Sequence, residues 1–396
     1  MTAAPAYDLP RAPVLVLAWL VGVNLRAPLT AAGPLLPLIM QDLHLSATVA
    51  GAVTALPFLV IAVLSIPGGM LGDAIGSRRT VIGGLLAIGI VGAARALAGT
   101  PLGLLALLVL LGAAVGLVQP TLGTIAHASP AGPIVTTAVY TNGLNVGVLA
   151  ASALSVPVLL PLLGGTWRGV VTGWGIFAVA TAALSAVFMP RIAPRREAAP
   201  LLLPAESGPW TGRSLVSLVA IFAAQAAAFN GLLTWLPSYL VAHGFSLEYG
   251  SLALSAMSVC SIASAMIVPR LAGSPPHRRR PFYVSSVLLV AGLTALLARP
   301  QSAVVWAGIV GFGIGFSFTY ALAVPAELAP PGRVGATIGL VFSLGYVGAV
   351  AAPLLMGWLK DGLGSLAPGF GFLAAAGAIP ALAARALPGR ASVPDG

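Results

Sequence analysis

The sequence predicts an all-α integral membrane protein: twelve transmembrane helices in two pseudo-symmetric six-helix bundles. Three observations predict it. Of 396 residues, 58% are hydrophobic and only 7% are charged, against roughly 25% charged in an ordinary soluble domain. So few charges cannot cover a water-exposed surface, whereas a lipid-facing surface needs none. The apolar residues also fall into twelve runs, each near the ~20 residues that span a bilayer. Finally, the two halves echo each other at an offset of 200 residues.

The runs lie at 13–37, 47–71, 79–98, 102–126, 133–162, 167–189, 213–240, 248–270, 281–299, 302–327, 334–359 and 366–387. Short turns carrying Pro, Gly or charge separate most of them. The 48 Gly and 33 Pro fit transmembrane helices, which tolerate both better than soluble helices do. The first run is longer than a signal-peptide core and ends without a clear A-x-A site, so it is expected to be a retained span. The mean hydropathy of +1.01 agrees. The segment 190–212 is Pro-rich and charged, and it divides the spans six and six. The expected organisation is a cytoplasmic N-terminus (1–12), an N-terminal bundle (13–189), a cytoplasmic linker (190–212), a C-terminal bundle (213–387) and a cytoplasmic tail (388–396).

The internal echo is a set of weak matches at one offset. Pro37 pairs with Pro237, Leu45-Ser46 with Phe245-Ser246, Gly69 with Pro269, and Arg78-Arg79 with Arg278-Arg279. Transporters of six plus six helices are built from such repeats.

The net charge of +10 and the isoelectric point near 10.8 do not point to nucleic acid, because the Arg residues lie between apolar runs and form no single patch. With the N-terminus in the cytoplasm, Arg11, Arg78, Arg79, Arg191, Arg195, Arg196, Arg213, Arg270, Arg278, Arg279, Arg280, Arg333, Arg385 and Arg390 fall on the cytoplasmic side. Arg95, Arg168, Arg299 and Lys360 fall opposite. The asymmetry satisfies the positive-inside rule only with an even number of spans. The expected location is a cell inner membrane, multi-pass, with both termini cytoplasmic. One cysteine, Cys260, excludes an intrachain disulfide and leaves the redox compartment unread.

The link between the second and third runs reads Gly69-Met70-Leu71-Gly72-Asp73-Ala74-Ile75-Gly76-Ser77-Arg78-Arg79. A tight Gly turn brings an acid and a basic pair to one face, where the acid can meet a helix N-terminus or an Arg. The segment resembles the major facilitator signature G-x-L-A-D-R-x-G-R-R, departing from it at Ala74 and Ser77, where basic residues are usual. The resemblance implies the major facilitator fold and a conformational latch built from Gly69, Asp73, Gly76, Arg78 and Arg79. It also implies that Asp73 faces the start of helix eleven near Gly332-Arg333. The bottom-up alternative is a solvated turn with topology-setting charges.

A finer resemblance, to the cyanate permease and 2-nitroimidazole transporter branch, rests on Asn24-Leu25-Arg26-Ala27-Pro28 followed by Gly33-Pro34-Leu35-Leu36-Pro37, on Trp167-Arg168, on Gly332-Arg333-Val334-Gly335-Ala336, and on Gly345-Tyr346 with Ala352-Pro353-Leu354. It implies a substrate such as a cyanate-like anion, a nitroimidazole-like heterocycle or a small organic acid, moved by alternating access through a central cavity.

Arg26 is the most informative single residue. It lies about halfway along the first run, where a charge costs at least ~2.5–3.5 kcal/mol and marks a functional candidate. Its planar fork suits carboxylate-like anions. The structural alternative is that it bonds carbonyls freed by Pro28 or stacks on an aromatic ring. Asn145, Gln225, Asn230 and Tyr346 fall at similar depth, and Tyr140, Trp235 and Tyr320 lie nearer span ends. These are the further candidates for substrate contact, with interhelical hydrogen bonding or interface anchoring as the alternative for each. Gln119-Pro120 is expected to bend the fourth run, and Gly311-Phe312-Gly313-Ile314-Gly315 to permit close helix approach.

None of the nine acidic residues and none of the four His falls mid-span. Coupling to protons through a buried carboxylate is therefore not expected, and anion uniport or exchange is the simplest mechanism. There is no G-x-x-x-x-G-K-[ST], no metal-ligand cluster and no G-x-S-x-G, so neither ATP-driven transport nor catalysis is expected. No cofactor, metal or nucleic-acid partner is expected either; the partners are a small, anionic solute and the lipid bilayer, and a monomer is expected. Multidrug efflux is the rival transport reading, and a non-transporting sensor or scaffold, or a membrane-embedded enzyme, the rivals outside it.

Overall fold

A computed structural model describes residues 11–129, 133–189, 212–271, 279–328 and 334–387. All of the regular structure among them is helical. The first span is α1 (Arg11–Thr30) with α2 (Ala32–Leu43), followed by α3 (Ala47–Ile75) and α4 (Ser77–Ala94, extended by a 3₁₀ turn Arg95–Leu97). The fourth span is α5 (Pro101–Val118) with α6 (Thr121–Ala128), the fifth α7 (Pro133–Leu154) with the short α8 (Leu160–Leu162), and the sixth α9 (Trp167–Phe188). Then come α10 (Gly212–Ala242), α11 (Leu247–Leu271), α12 (Arg280–Ala298), α13 (Ala303–Leu328), α14 (Val334–Leu363) and a last span of α15 (Ala367–Ala376) with α16 (Ile379–Ala384). Ten stretches among the described residues are long and apolar enough to cross a membrane. With α11 (25 residues) and α14 (30 residues), all twelve expected spans are helical.

Proline explains most of the interruptions. The bend expected at Gln119-Pro120 is present, because Pro120 donates no N–H to continue α5 into α6. Pro157 does the same to the fifth span. There the backbone loosens into a π-helical stretch, Ser155–Leu159, and Trp174 Nε1 donates to the Ser155 hydroxyl at 3.1 Å. In the last span, Pro380 follows the break at Gly377 and Ala378, and the Ala381 amide donates to Ser286 Oγ at 2.8 Å. The Ala381 amide needs such a partner, since hydrocarbon offers none.

The chain divides into two compact units, Met1–Leu43 with Leu56–Ala199, and His44–Ala55 with Pro200–Gly396. The first two turns of α3 thus belong with the second unit. The linker residues 190–211 lie outside the described residues.

The duplication is visible in backbone geometry. His44 (φ 50°) and Gly244 (φ 83°) both turn the chain in the left-handed region, as do Gly164 (φ 85°) and Gly364 (φ 69°). Glycine meets that requirement without strain, whereas His44 meets it as a side-chain-bearing residue. Helix seams repeat as well. On α5, Gly112 seats against the backbone of Pro57 and Gly116 against Ile61. On α13, Gly311 seats against Met257 and Gly315 against Ser261, so the contacted positions on α3 and α11 are 200 apart. Likewise Gly143 and Gly147 of α7 lie on Trp19 and Val23 of α1, and Gly345 and Gly348 of α14 lie on Phe222 and Ala223 of α10. The Gly311–Gly315 run is therefore a packing element.

At each of these seams except Gly116, where the distance is 3.1 Å, a β-carbon would come within 3.0 Å of the facing helix, closer than real β-carbons pack. Gly143→Val should therefore lower stability by roughly 1–3 kcal/mol or more. Gly83→Val should change it by less than about 0.5 kcal/mol, because nothing lies within 4 Å of a β-carbon at Gly83. Thermal unfolding of the purified variants in detergent checks both. Equal stability of the two would contradict the seam.

Candidate functional site

In the first unit, the Asn24-Leu25-Arg26 segment separates two roles by helical geometry. Residues two apart on a helix point about 200° apart. Asn24 is fully buried, and its amide donates to Leu20 O and to Thr181 Oγ1 on α9, both at 2.9 Å. It is a brace between α1 and α9. Arg26 is half-buried and points elsewhere. Its guanidinium carbon lies over the Phe58 ring of α3, 5.3 Å from the centroid. The backbone of Arg26 is held too, since the Thr30 hydroxyl donates to its carbonyl at 2.9 Å. A β-carbon on Gly147 of α7 would lie 3.1 Å from Arg26 Cβ and 2.5 Å from the Val23 carbonyl oxygen. Stacking on an aromatic, the structural alternative for Arg26, is thus realised, and the ring is Phe58.

Asn145 is half-buried on α7, two residues before Gly147. Tyr140, also half-buried on α7, turns its backbone carbonyl toward Gly22 of α1. Trp19 Nε1 donates to Asn142 Oδ1 at 3.0 Å and ties the same two helices.

The Trp167-Arg168 pair braces one end of this unit. Arg168 pairs with Asp42 of α2 and donates to the carbonyls of Ala96 and Ala98, each at 3.0 Å. Trp167 Nε1 donates to the same Asp42 carboxylate at 3.0 Å. Arg95, expected at a span end, is instead 2% exposed, with Nε donating to Gly92 O at 3.1 Å. Sequence position alone could not separate it from an exposed loop Arg.

The signature segment is more helical than its glycines predict. α3 persists to Ile75 and α4 starts at Ser77, so Gly76 (φ 90°) alone makes the turn. Asp73 lies in the last turn of α3. Close seating of Gly68 on Gly116 and Leu117, and of Gly72 on Thr121, continues the α3 packing seam through the expected loop. Arg78 donates to the Ala186 carbonyl near the end of α9, Arg79 is exposed, and Gly69 lies within α3. Arg333, the proposed counterpart of Asp73, lies outside the described residues.

In the second unit, α10 carries a buried polar row. Gln225 is 3% exposed, and its Oε1 has no hydrogen-bond partner among the described residues. The Asn230 amide donates to Ala226 O at 2.9 Å, and the Thr234 hydroxyl to Asn230 O at 2.7 Å. Tyr346 is half-buried and meets Phe222 edge-on, with centroids 5.9 Å apart. Tyr320 lies 5.5 Å from Phe316, and both tyrosines pack on the apolar cluster around Leu218 and Ile221. Trp235 is wholly buried. Its Nε1 donates to the Pro353 carbonyl at 3.0 Å, and the Lys360 ammonium sits 5.6 Å from its ring centroid. The indole is a wedge between α10 and α14. Glu248 is exposed in the first turn of α11.

The start of α3 is fastened within this unit. The Ala47 and Thr48 amides donate to the two carboxylate oxygens of Asp361 at 2.8 Å each, and the Thr48 hydroxyl donates at 2.6 Å. The Thr54 and Thr234 hydroxyls share a 2.7 Å hydrogen bond. Sequence reading missed Asp361, whose only signal was a carboxylate just past an apolar run. An acid at a helix N-terminus completes donors that the helix cannot satisfy itself.

Partial desolvation pushes the Asp361 carboxyl up, but the Thr48 hydroxyl, the Thr48 and Ala47 amides and neighbouring Lys360 outweigh it and hold it below its ordinary value. The cap is then complete above the ordinary carboxylate pKa of about 3.9 and is lost only as the pH falls through the lowered folded value. Hydrogen-exchange protection of the Ala47 and Thr48 amides should stay constant from neutral pH down to that region and fall below it. In Asp361→Asn, protection should be low and independent of pH. Loss of protection well above pH 4, or full protection in Asp361→Asn, would contradict the cap.

Comparison with known proteins places these features. Residues 18–353 match the model of the Major Facilitator Superfamily. The chain is 29% identical over 346 residues to the uncharacterized transporter YycB of Bacillus subtilis strain 168, covering 86% of this chain and 85% of that one. It is 26% identical over 383 residues to the cyanate transport protein CynX of Escherichia coli K12, with 88% and 90% covered. It is 24% identical over 349 residues to the 2-nitroimidazole transporter of the same strain, with 87% and 88% covered. Among solved structures, a bacterial homolog of the human lysosomal transporter Spinster, inward-facing and unoccupied, superposes with a TM-score of 0.74 at 17% identity, over 97% of this chain and 98% of that one. With helices throughout and a family match over most of its length, the chain is a multi-pass membrane transporter that belongs to the Major Facilitator Superfamily.

Proposed function

We propose that this transporter carries a small anion or compact polar solute, cyanate-like, nitroimidazole-like or a small organic acid, and that Arg26 is its anion-binding residue. The observation that carries the reading is a half-buried guanidinium halfway along an apolar span, over the Phe58 ring, where a charged side chain is by default a functional candidate. Its planar fork suits a carboxylate-like partner. Similarity to transporters named for cyanate and 2-nitroimidazole supports the same class of solute. Asn145, Gln225 and Asn230 are proposed to supply further polar contacts. For Gln225, the unpartnered buried Oε1 supports this, since such a group is costly unless something else bonds it. Tyr140, Tyr320 and Tyr346 are proposed as wall residues. The wedge position of Trp235 favours packing over solute contact for the indole.

The proposed orientation puts both termini and the Arg-rich links in the cytoplasm of a cell with an inner membrane, on the positive-inside argument. The proposed working form is a monomer with 13–189 and 213–387 as its two helical bundles, joined by 190–212. Asp73, with Gly69, Gly76, Arg78, Arg79 and Arg333, is proposed as the conformational latch, acting on the equilibrium between states rather than on the solute.

The test is ligand-dependent thermal stability of the purified full-length protein with cyanate, acetate and 2-nitroimidazole. A ligand at ten times its Kd adds about 1.4 kcal/mol to the folded state by mass action. Cyanate or acetate should stabilise the wild type. The effect should vanish in Arg26→Ala and recover little in Arg26→Lys, which offers a point charge in place of a fork. Undiminished stabilisation of Arg26→Ala by an anion would overturn the assignment.

A further inference from the structure

We propose that the groove between α12 and the last span binds one acyl chain of an anionic phospholipid, with Arg280 and Arg385 taking the headgroup phosphate. The proposal is independent of the solute assignment, because every group it uses lies in the second unit.

The groove lies beside the break in the last span. At Gly377 the chain passes close to α12, where a β-carbon would lie 3.0 Å from Leu289 Cβ and 3.4 Å from Val290 Cγ2. Beyond Gly377 and Ala378 the chain resumes as α16. The space beside it has a volume of about 670 Å³ and is lined from Ser286 to Ala298 on α12, with Ala378, Ala381 and Leu382 on the other wall. None of its lining residues is charged, and Ser286 Oγ already accepts the Ala381 amide at 2.8 Å. From Ser286 to Ala298 is about 18 Å along the helix, close to the roughly 15 Å of one leaflet in a ~30 Å hydrocarbon core. An apolar slot of that length, open to the bilayer, fits one acyl chain.

Two arginines stand in register with the slot. Arg280, Val284, Val287, Ala291, Thr294 and Ala298 follow one another at steps of three and four residues, so they share one face of α12. All six are exposed, and the last four line the groove. Ala378, Leu382 and Arg385 repeat that spacing on the last span, and Arg385 keeps helical backbone angles (φ −57° to −62° being typical of the helix, here −62°, with ψ −29°). The two arginine-bearing ends are tied side by side, since Arg279 Nε donates to the Leu387 carbonyl at 2.8 Å. Arg280 and Arg385 are both exposed, and neither forms an ion pair among the described residues.

The charge selects the lipid. A guanidinium takes phosphate oxygens bidentately, and basic side chains between spans favour anionic headgroups. A zwitterionic lipid offers the same chain, but its ammonium group offsets the attraction of the phosphate.

The experiment titrates purified full-length protein in detergent with dioleoyl phosphatidylglycerol or dioleoyl phosphatidylcholine and reads bound lipid by native mass spectrometry, with apo thermal stability measured alongside. Wild type should bind one phosphatidylglycerol at least tenfold more tightly than phosphatidylcholine. Arg280→Gln and Arg385→Gln should each weaken phosphatidylglycerol binding about fivefold, and the double variant should bind the two lipids alike; the single variants carry the test if the double one unfolds. Ala291→Phe fills the slot and leaves both arginines, and it should lose phosphatidylglycerol, whereas Val187→Phe, at an exposed position on α9, should not. Glycerol phosphate, which has no acyl chain, should not compete. Equal binding of the two lipids by wild type, undiminished phosphatidylglycerol binding in the arginine variants, equal binding by Ala291→Phe and Val187→Phe, displacement by glycerol phosphate, or a dimer of this chain in place of the lipid adduct would each overturn the proposal.

Discussion

Helices in hydrocarbon gain nothing from hiding apolar side chains against each other, because lipid tails are equally apolar. What remains is close van der Waals contact and hydrogen bonding between backbones that can approach. In this chain the approach is made at glycine. Gly143 and Gly147 close α7 on α1, Gly112 and Gly116 close α5 on α3, Gly89 and Gly175 close α4 on α9, and Gly345 and Gly348 close α14 on α10. The wider packing follows from these seams. The seam positions recur at an offset near 200 together with the left-handed turns at 44 and 244 and at 164 and 364. The duplication therefore preserves backbone contacts more faithfully than residue identities.

The same seams position the polar groups. On α1, Asn24 faces α9 and donates to Thr181, while Arg26, half a turn away, lies beside Gly147 and over the Phe58 ring. On α10, the Asn230 and Thr234 side chains bond the turn before them, and Thr234 also joins Thr54. Many buried polar groups in both units thus bond the turn before them and a few cross to a neighbouring helix, and Gln225 retains an acceptor that nothing among the described residues fills. A rigid frame with a fixed cation is what recognition of a small anion requires, because a solute of few atoms cannot itself order a flexible site.

Much of this was legible in the sequence because it depends on local composition. Apolar run length marks the spans, Pro120 marks a bend, and the Gly311–Gly315 run marks a packing seam. Arg26 stood out because depth in an apolar run is a one-dimensional property. What was not legible depends on partners distant in the chain. Phe58 is an ordinary apolar residue until α1 places Arg26 above it. Asp361 looks like a loop acid until the α3 N-terminus is placed beside it, 314 residues away in sequence. Arg95 looks like a topology-setting charge until the fold buries it and bonds it to the Gly92 carbonyl. The segment 69–75 read as a loop because its glycines suggest turns, yet Gly68 and Gly72 serve helix contact and only Gly76 turns the chain.

The central claim is that an anion entering the apolar span is compensated by the Arg26 charge. Charge movement tests it most directly, as the transient current evoked by a cyanate concentration jump on proteoliposomes adsorbed to a solid-supported membrane, with equal pH on both sides. The account predicts a transient of the sign of an entering anion in the wild-type protein, saturating with cyanate and absent from Arg26→Ala. A current that persists undiminished in Arg26→Ala, or that appears only when a pH gradient is imposed, would contradict it.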